Sequence, residues 1–520
     1  MNNKIKEWSQ KNKVLYGFIL WSFISFAYML FIANWGFSVT LAGEGVKDSV
    51  VNAGFLGYFG IQKDANFQLI SQIANWSITL GRGIGSVLVA LLLAKFAHKY
   101  TTIIAIAMTL VGIPAAFMPA TGYGYALFLV LRTIMAIGGT TLIILTQPVV
   151  ANFFGPKQKS VVSQFGIWFY PLGTIISIVP VLVVTNSDAV REQWKLIVTL
   201  LAALNIIPLL LFIFIGTQFD VKENEPRVKV NGWSILGSYV KKKQTYAWVL
   251  LYGGWLCIAV FLTSLTLPIF NGLSKAGGIF NKYIFGWQVA FLSAVFVGPI
   301  SLGLWSRKQA KRRWFIATAI ASAIVLFTLS TLTFVFGVAK YGVNDNKSMF
   351  GFSAAMFIIL GFLTGLCIWG IQGVMLNLPH EYKESDPKTI GWMFSLIWGF
   401  GYVFFTLVLI LISGISLIPA LQKNQLTLTA IQFVLIVLST AIAFIGILML
   451  KEPHPEYPMF PCKKVEQAKV EAKVEPVKVE EVKVEEPVVK EVKPKTAAKS
   501  TKPKSTTAKT TKPKTASKSK

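Results

Sequence analysis

The chain has 520 residues, of which 54% are hydrophobic and only 14% charged, with a mean hydropathy of +0.59; so much apolar surface cannot be hidden in the core of a soluble domain. The formal net charge of +27 invites a nucleic-acid reading, but its placement speaks against one. Residues 451–520 hold 18 Lys and 10 Glu, a net of +8, and the other +19 lies mostly in short loops beside apolar runs, where Lys and Arg set membrane topology and meet anionic lipid.

Taken in chain order, a lysine-bearing N-terminus (1–13) precedes apolar runs near 14–35, 68–93, 101–118, 123–149, 160–184 and 194–216. A polar stretch follows, "TQFDVKENEPRVKVNGWSILGSYVKKKQT" (217–245), and then runs near 246–270, 284–306, 314–338, 350–378, 390–416 and 427–450. Each is about the 20 residues needed to cross ~30 Å of hydrocarbon. The expected fold is therefore an all-α polytopic membrane protein of twelve transmembrane helices in two six-helix bundles (14–216 and 246–450) joined by a linker. The first run has no small-residue cleavage site and reads as a retained helix. With the N-terminus inside, the inner connections carry Lys95 and Lys99, Lys157 and Lys159, Lys241–Lys243 and Arg307–Arg313. The outer connections are poorer in basic residues, which puts both termini in the cytoplasm.

The stretch after residue 450 is a Val/Glu/Lys repeat with prolines and then Lys/Thr/Pro/Ser low complexity, a composition that cannot bury a core and reads as a disordered cytoplasmic tail. Cys257 and Cys367 fall inside spans and Cys462 in the tail, while His98, His380 and His454 fall in loops or tail. That spacing gives no disulfide framework, metal site or cofactor, and no nucleophile or acid–base cluster points to an enzyme. The predicted partners are a small solute and the bilayer, with anionic lipid at the basic loops, and the chain reads as functional as a monomer.

One charge stands out. Arg82 lies in "NWSITLGRGIGSVLVALLLAKF" (75–96), flanked by Gly81, Gly83 and Gly85, about twelve residues and so ~18 Å from the inner end of its helix, too far to snorkel. No Asp or Glu occurs in any predicted span. The guanidinium must then be met by backbone carbonyls, as a structural arginine, or by an arriving anion such as a phosphate or carboxylate, which it would hold in bidentate fashion. Arg132, within "LFLVLRTIMAIGGTT" (127–141), is the second candidate, with structural and binding roles both open. Among polar and aromatic residues of the spans, Gln164 with Trp168 and Trp369 with Gln372 share helix faces and complete the expected solute-binding set.

"RTIMAIGG" resembles the fourth-span motif of the major facilitator superfamily: Arg132 and Gly138 match it, while Ala136 replaces its first glycine. "ALLLAKFAHK" from Ala90 is similar to that family's loop between spans 2 and 3, keeping Lys95 and Lys99 but with Ala94 in place of the acid. "GLWSRKQAKR" keeps Gly303 and Arg307 and again lacks the acid. "GIWFYPLG", with Gly166, Pro171 and Gly173, is similar to its Gly- and Pro-rich fifth span. A loose internal echo joins "QPVVANFFGPKQKSVVSQFGIWFYPLGT" (147–174) to "MLNLPHEYKESDPKTIGWMFSLIWGFGYVF" (375–404), as expected of a transporter built from repeats. The resemblance implies two bundles rocking about a central site, with those glycines, Pro171 and the basic loop residues in gating. Without an embedded carboxylate or His, exchange or facilitated movement of an anion is favoured over carboxylate-based proton symport. A lipid flippase or exporter and a neutral-solute (sugar or drug) transporter remain alternatives on the same scaffold.

Overall fold

In hydrocarbon every backbone N–H and C=O must find its partner within the segment, so apolar runs of this length become helices. The computed structural model describes residues 3–64, 67–155, 158, 162, 165–184, 187–219, 232–274, 279–306, 311–343, 347–382 and 390–459. Ten helices among them are long and apolar enough to cross a membrane. One of these is two crossings, because the helix Phe67–Leu110 is broken at Ala97, whose φ of 57° and ψ of −177° are not helical. The shorter apolar helix Phe169–Val183 supplies another, which brings the crossings to twelve.

They are α1 (Lys13–Thr40), α2 (67–96), α3 (98–110), α4 (Gly122–Phe153), α5 (Phe169–Val183) and α6 (Trp194–Ile215). The second set is α7 (Lys243–Ser264), α8 (Asn281–Ser306), α9 (Arg312–Gly342), α10 (Lys347–Glu381), α11 (Ile390–Ile415) and α12 (Gln425–Met449). In the first half the α2–α3 helix packs on α4, and α1 on α4 and α5; in the second, α8 packs on α10, α7 on α12 and α9 on α10.

The halves meet mainly where α11 lies along α2, with α5 against α8. Glycines permit the first approach: a Cβ on Gly399 would sit 2.9 Å from Val87 Cγ2 and 3.3 Å from the Gly83 carbonyl. Two turns further along α11, Thr406 Oγ1 and Thr79 Oγ1 are hydrogen-bonded across the seam at 2.9 Å.

Both ends of the bundle carry structure that the run of apolar segments does not announce. At the end away from the termini, a small antiparallel hairpin (Val46–Lys47 with Val50–Val51) and the turn of helix Phe55–Tyr58 fold over α4 and α6. Phe55, Phe59, Phe128 and Trp194 form their shared core, and the Lys195 ammonium sits 3.6 Å above the Tyr58 ring. Beside the hairpin, Lys63 Nζ donates to Glu44 at 2.6 Å and by that bond and its charge holds the Glu44 carboxyl below its ordinary range.

At the terminal end, the chain leaving α12 remains attached through Met459. Glu452 accepts the backbone N–H groups of Arg312 and Arg313, each at 2.9 Å, so a side chain 140 residues away in sequence caps α9. Arg312 pairs with Glu381 at 2.9 Å, and His454 Nε2 lies 3.3 Å from the same carboxylate. Residues 451–459 thus form a strap across the ends of α9 and α10, where composition had assigned tail; the expected disorder of 460–520 lies outside the described residues.

His98 also corrects the sequence expectation. It is fully buried, with Nε2 3.0 Å from the Leu145 carbonyl, because the helix runs on past the break and carries the imidazole into the packed interior. At Ala97 itself the backbone occupies a region open mainly to glycine. Ala97→Gly is expected to stabilise the protein by about 1 kcal/mol, read as a higher melting temperature in detergent; an unchanged or lower value would show that the break carries no strain.

Candidate functional site

Arg82 lies midway along α2, where α1, α5 and α11 converge. It is 1% exposed. Nη2 donates to the Tyr28 hydroxyl at 3.1 Å, and the guanidinium is ringed by aromatic groups: Tyr402 at 4.5 Å from its centroid, Trp35 at 5.0 Å, Phe31 at 5.7 Å, Tyr28 at 5.8 Å and Tyr170 at 6.0 Å. Each ring face attracts a cation by roughly 0.5–2 kcal/mol, which offsets part of the cost of holding one in the membrane. None of these groups carries a formal charge, so among the described residues the positive charge stays uncompensated. Nε and Nη1 meet no hydrogen-bond acceptor among the described residues.

Arg82 lines a cavity of about 60 Å³ between the halves, walled from the first by Tyr28, Arg82, Gln147 and Tyr170 and from the second by Trp255, Trp369, Gln372, Trp398 and Tyr402. Two indole N–H groups are already committed to backbone carbonyls: Trp255 Nε1 donates to Ile368 at 3.0 Å and Trp369 Nε1 to Phe291 at 3.1 Å. These tryptophans therefore offer the cavity ring surface rather than donors. A second cavity of about 270 Å³ extends toward the end away from the termini, lined by Trp35, Asn75, Thr174, Arg191, Thr263 and Gln288 among others. Tyr170 and Val260 border both, and Tyr170 lies 5.8 Å from Trp369 across the seam.

Of the solute-binding residues expected from sequence, the structure brings Arg82, Trp369 and Gln372 to one cavity, with Gly166 also on its wall. Arg132 lies elsewhere. Its Nη1 and Nη2 donate to Asn34 Oδ1 and to the Asn34 carbonyl, each at 3.2 Å, and its plane lies 5.2 Å from the Phe128 ring. Asn34 in turn donates to the Val198 carbonyl at 3.0 Å. This network ties α4 to α1 and α6 inside the first half and borders neither cavity. Trp168 precedes α5 and packs on Phe296 of α8 at 5.4 Å, again off the cavity wall; Gln164 lies outside the described residues.

The expected gating positions are mostly packing points. A Cβ on Gly138 would stand 2.5 Å from the Ala105 carbonyl, and one on Gly173 2.6 Å from that of Met29. Pro171 is buried in the first turn of α5. Lys99 Nζ donates to the Ile213 carbonyl at 3.0 Å, and Lys95 lies 5.2 Å from the Phe96 ring. Gly303 falls in α8, and Arg307 is outside the described residues.

Sequence reasoning missed Tyr402, the ring nearest Arg82, together with Trp35. Tyr402 was within reach, since it ends "GFGY" (399–402), where two glycines mark a helix that another backbone approaches closely. The internal echo also reaches the site: its first copy supplies Tyr170 and its second Trp398 and Tyr402.

Residues 128–416, more than half of the chain, match the model of a family described as Mycoplasma MFS transporter. The chain belongs to this family. An uncharacterized protein of Mesomycoplasma hyopneumoniae (strain J) is 41% identical over 85% of this chain and 92% of its own length. A major facilitator superfamily transporter of Mycoplasma pneumoniae is 24% identical over 75% of this chain and 84% of its own. Two solved folds are also similar. The E. coli xylose transporter XylE in a partially occluded inward open conformation gives a TM-score of 0.58 at 11% identity, covering 84% of this chain and 98% of its own. The E. coli fucose:proton symporter gives 0.54 at 16%, covering 83% and 98%. As a Mycoplasma MFS transporter the protein is a multi-pass membrane carrier of small solutes and not an enzyme.

Proposed function

We propose that this MFS transporter moves a small organic anion across the cell membrane by alternating access, through exchange or facilitated movement rather than carboxylate-based proton symport. The observation that carries the reading is Arg82: a buried cation on the wall between the halves, with no carboxylate in the predicted spans and two nitrogens lacking an acceptor among the described residues. A carboxylate or phosphate supplies both the missing charge and the missing acceptors. The basic connections favour cytoplasmic termini, which makes the larger of the two cavities the outer vestibule, with Tyr170 between it and the binding site. The carrier works as a monomer whose inner loops contact anionic lipid.

A second reading has one observation in its favour. The ring surfaces of Trp255, Trp369 and Tyr402 beside the amides of Gln147 and Gln372 also suit a neutral sugar, and the fold neighbours are named as xylose and fucose transporters. Counterflow in proteoliposomes separates the two. Vesicles preloaded with carboxylates, organic phosphates, neutral sugars or nucleosides are diluted into a trace of each labelled compound. Only anions are expected to accumulate transiently; counterflow confined to neutral compounds would replace this reading with the second.

A further inference from the structure

The site has a second unmatched polar atom, and it sits on the opposite half. Gln372 Oε1, on α10, is buried without a hydrogen-bond partner among the described residues, yet Gln372 lines the cavity that Arg82 lines from α2. A buried amide oxygen is seldom left unpaired unless something else is meant to pair with it. We propose that the solute is a hydroxylated organic anion, its anionic group held by Arg82 and a hydroxyl on its carbon skeleton held by Gln372. This rests on the anion reading and narrows it.

A hydroxyl suits this position. Oxygen and nitrogen of a glutamine side chain can exchange places, and a hydroxyl both donates and accepts, so it satisfies the amide in either orientation. The walls between the two polar points select the skeleton. With the N–H groups of Trp255 and Trp369 bound to backbone carbonyls, these side chains present flat carbon surface, which packs against the C–H faces of a polyol or sugar. An anion without a hydroxyl group matches Arg82 and leaves Gln372 Oε1 unpaired; a neutral polyol does the reverse. A hydroxy acid or a phosphorylated polyol meets both, and in doing so joins the two halves that alternating access moves against each other.

The test uses matched pairs differing in hydroxyl groups alone: lactate against propionate, and glycerol 3-phosphate against n-propyl phosphate. Each is titrated as a thermal stabiliser and as a competitor of counterflow, with the full-length protein as wild type and as Gln372→Leu. In the wild type the hydroxylated member is expected to bind about tenfold tighter or more, because a site built around a hydrogen bond rejects the analogue that cannot make it. In Gln372→Leu that ratio is expected to fall below about threefold, with Gln372→Asn between the two. Equal binding of both members by the wild type, which needs no variant to fold, would overturn the proposal and leave the anion reading standing. A preference that survives in Gln372→Leu would equally overturn it. Binding of neutral polyols but of no anion in either pair would remove the anion reading and this inference together.

Discussion

Arg82→Gln is expected to lower anion exchange by at least about 100-fold, the ~2.7 kcal/mol that a lost charge-assisted, paired contact is worth. The same substitution is expected to leave the melting temperature unchanged or raised. In the solute-free protein the guanidinium is a buried charge without a counter-charge among the described residues, so replacing it by a neutral group of similar reach removes a burden. Loss of function with retained stability is the signature of a residue kept for its ligand. Arg82→Lys should fall between, since it keeps the charge but loses the planar fork and the stacking on Tyr402. Exchange within about threefold of wild type in Arg82→Gln would sink the assignment.

The second arginine should behave in the opposite way. Arg132 donates to Asn34 Oδ1 and to the Asn34 backbone carbonyl, so Asn34→Leu removes the one side-chain acceptor of a buried charge while keeping the carbonyl, and is expected to destabilise the protein by about 2–3 kcal/mol. A combined Asn34→Leu, Arg132→Met variant should recover much of that, because the two residues share one network and their effects are not additive. Thermal or denaturant unfolding in detergent measures both. Asn34→Leu melting with the wild type would show that Arg132 draws its support from elsewhere.

Much of the fold was legible because hydrocarbon leaves so few options. Length and hydropathy alone mark most crossings, and a single cation among apolar residues with no acid in reach marks Arg82. What separates Arg82 from Arg132 was not legible. Both are arginines inside spans, and the difference lies in what comes to meet them: an asparagine 98 positions earlier for Arg132, and a tyrosine 320 positions later for Arg82. His98 was read as loop because it falls between the apolar runs 68–93 and 101–118, although the helix continues through the break at Ala97. The strap escaped for a different reason. Residues 451–459, "KEPHPEYPM", were grouped with the Lys-rich chain beyond them, yet they contain three prolines, an aromatic and a histidine and none of the Val/Glu/Lys repeat. That change in composition was the available signal.

The uncompensated charge of Arg82 has an electrical consequence. A full elementary charge crossing a membrane at 100 mV exchanges about 2.3 kcal/mol with the field. When the two halves turn about the site, the water-filled access path passes from one face to the other, and Arg82 shifts its place in that field by some fraction of the whole. With a monoanion bound the site is neutral, and reorientation is nearly indifferent to the potential. Empty, it carries its positive charge through the same movement. On the proposed anion reading, the empty return is the step that the membrane potential controls, and a carrier built in this way runs most freely when it never returns empty.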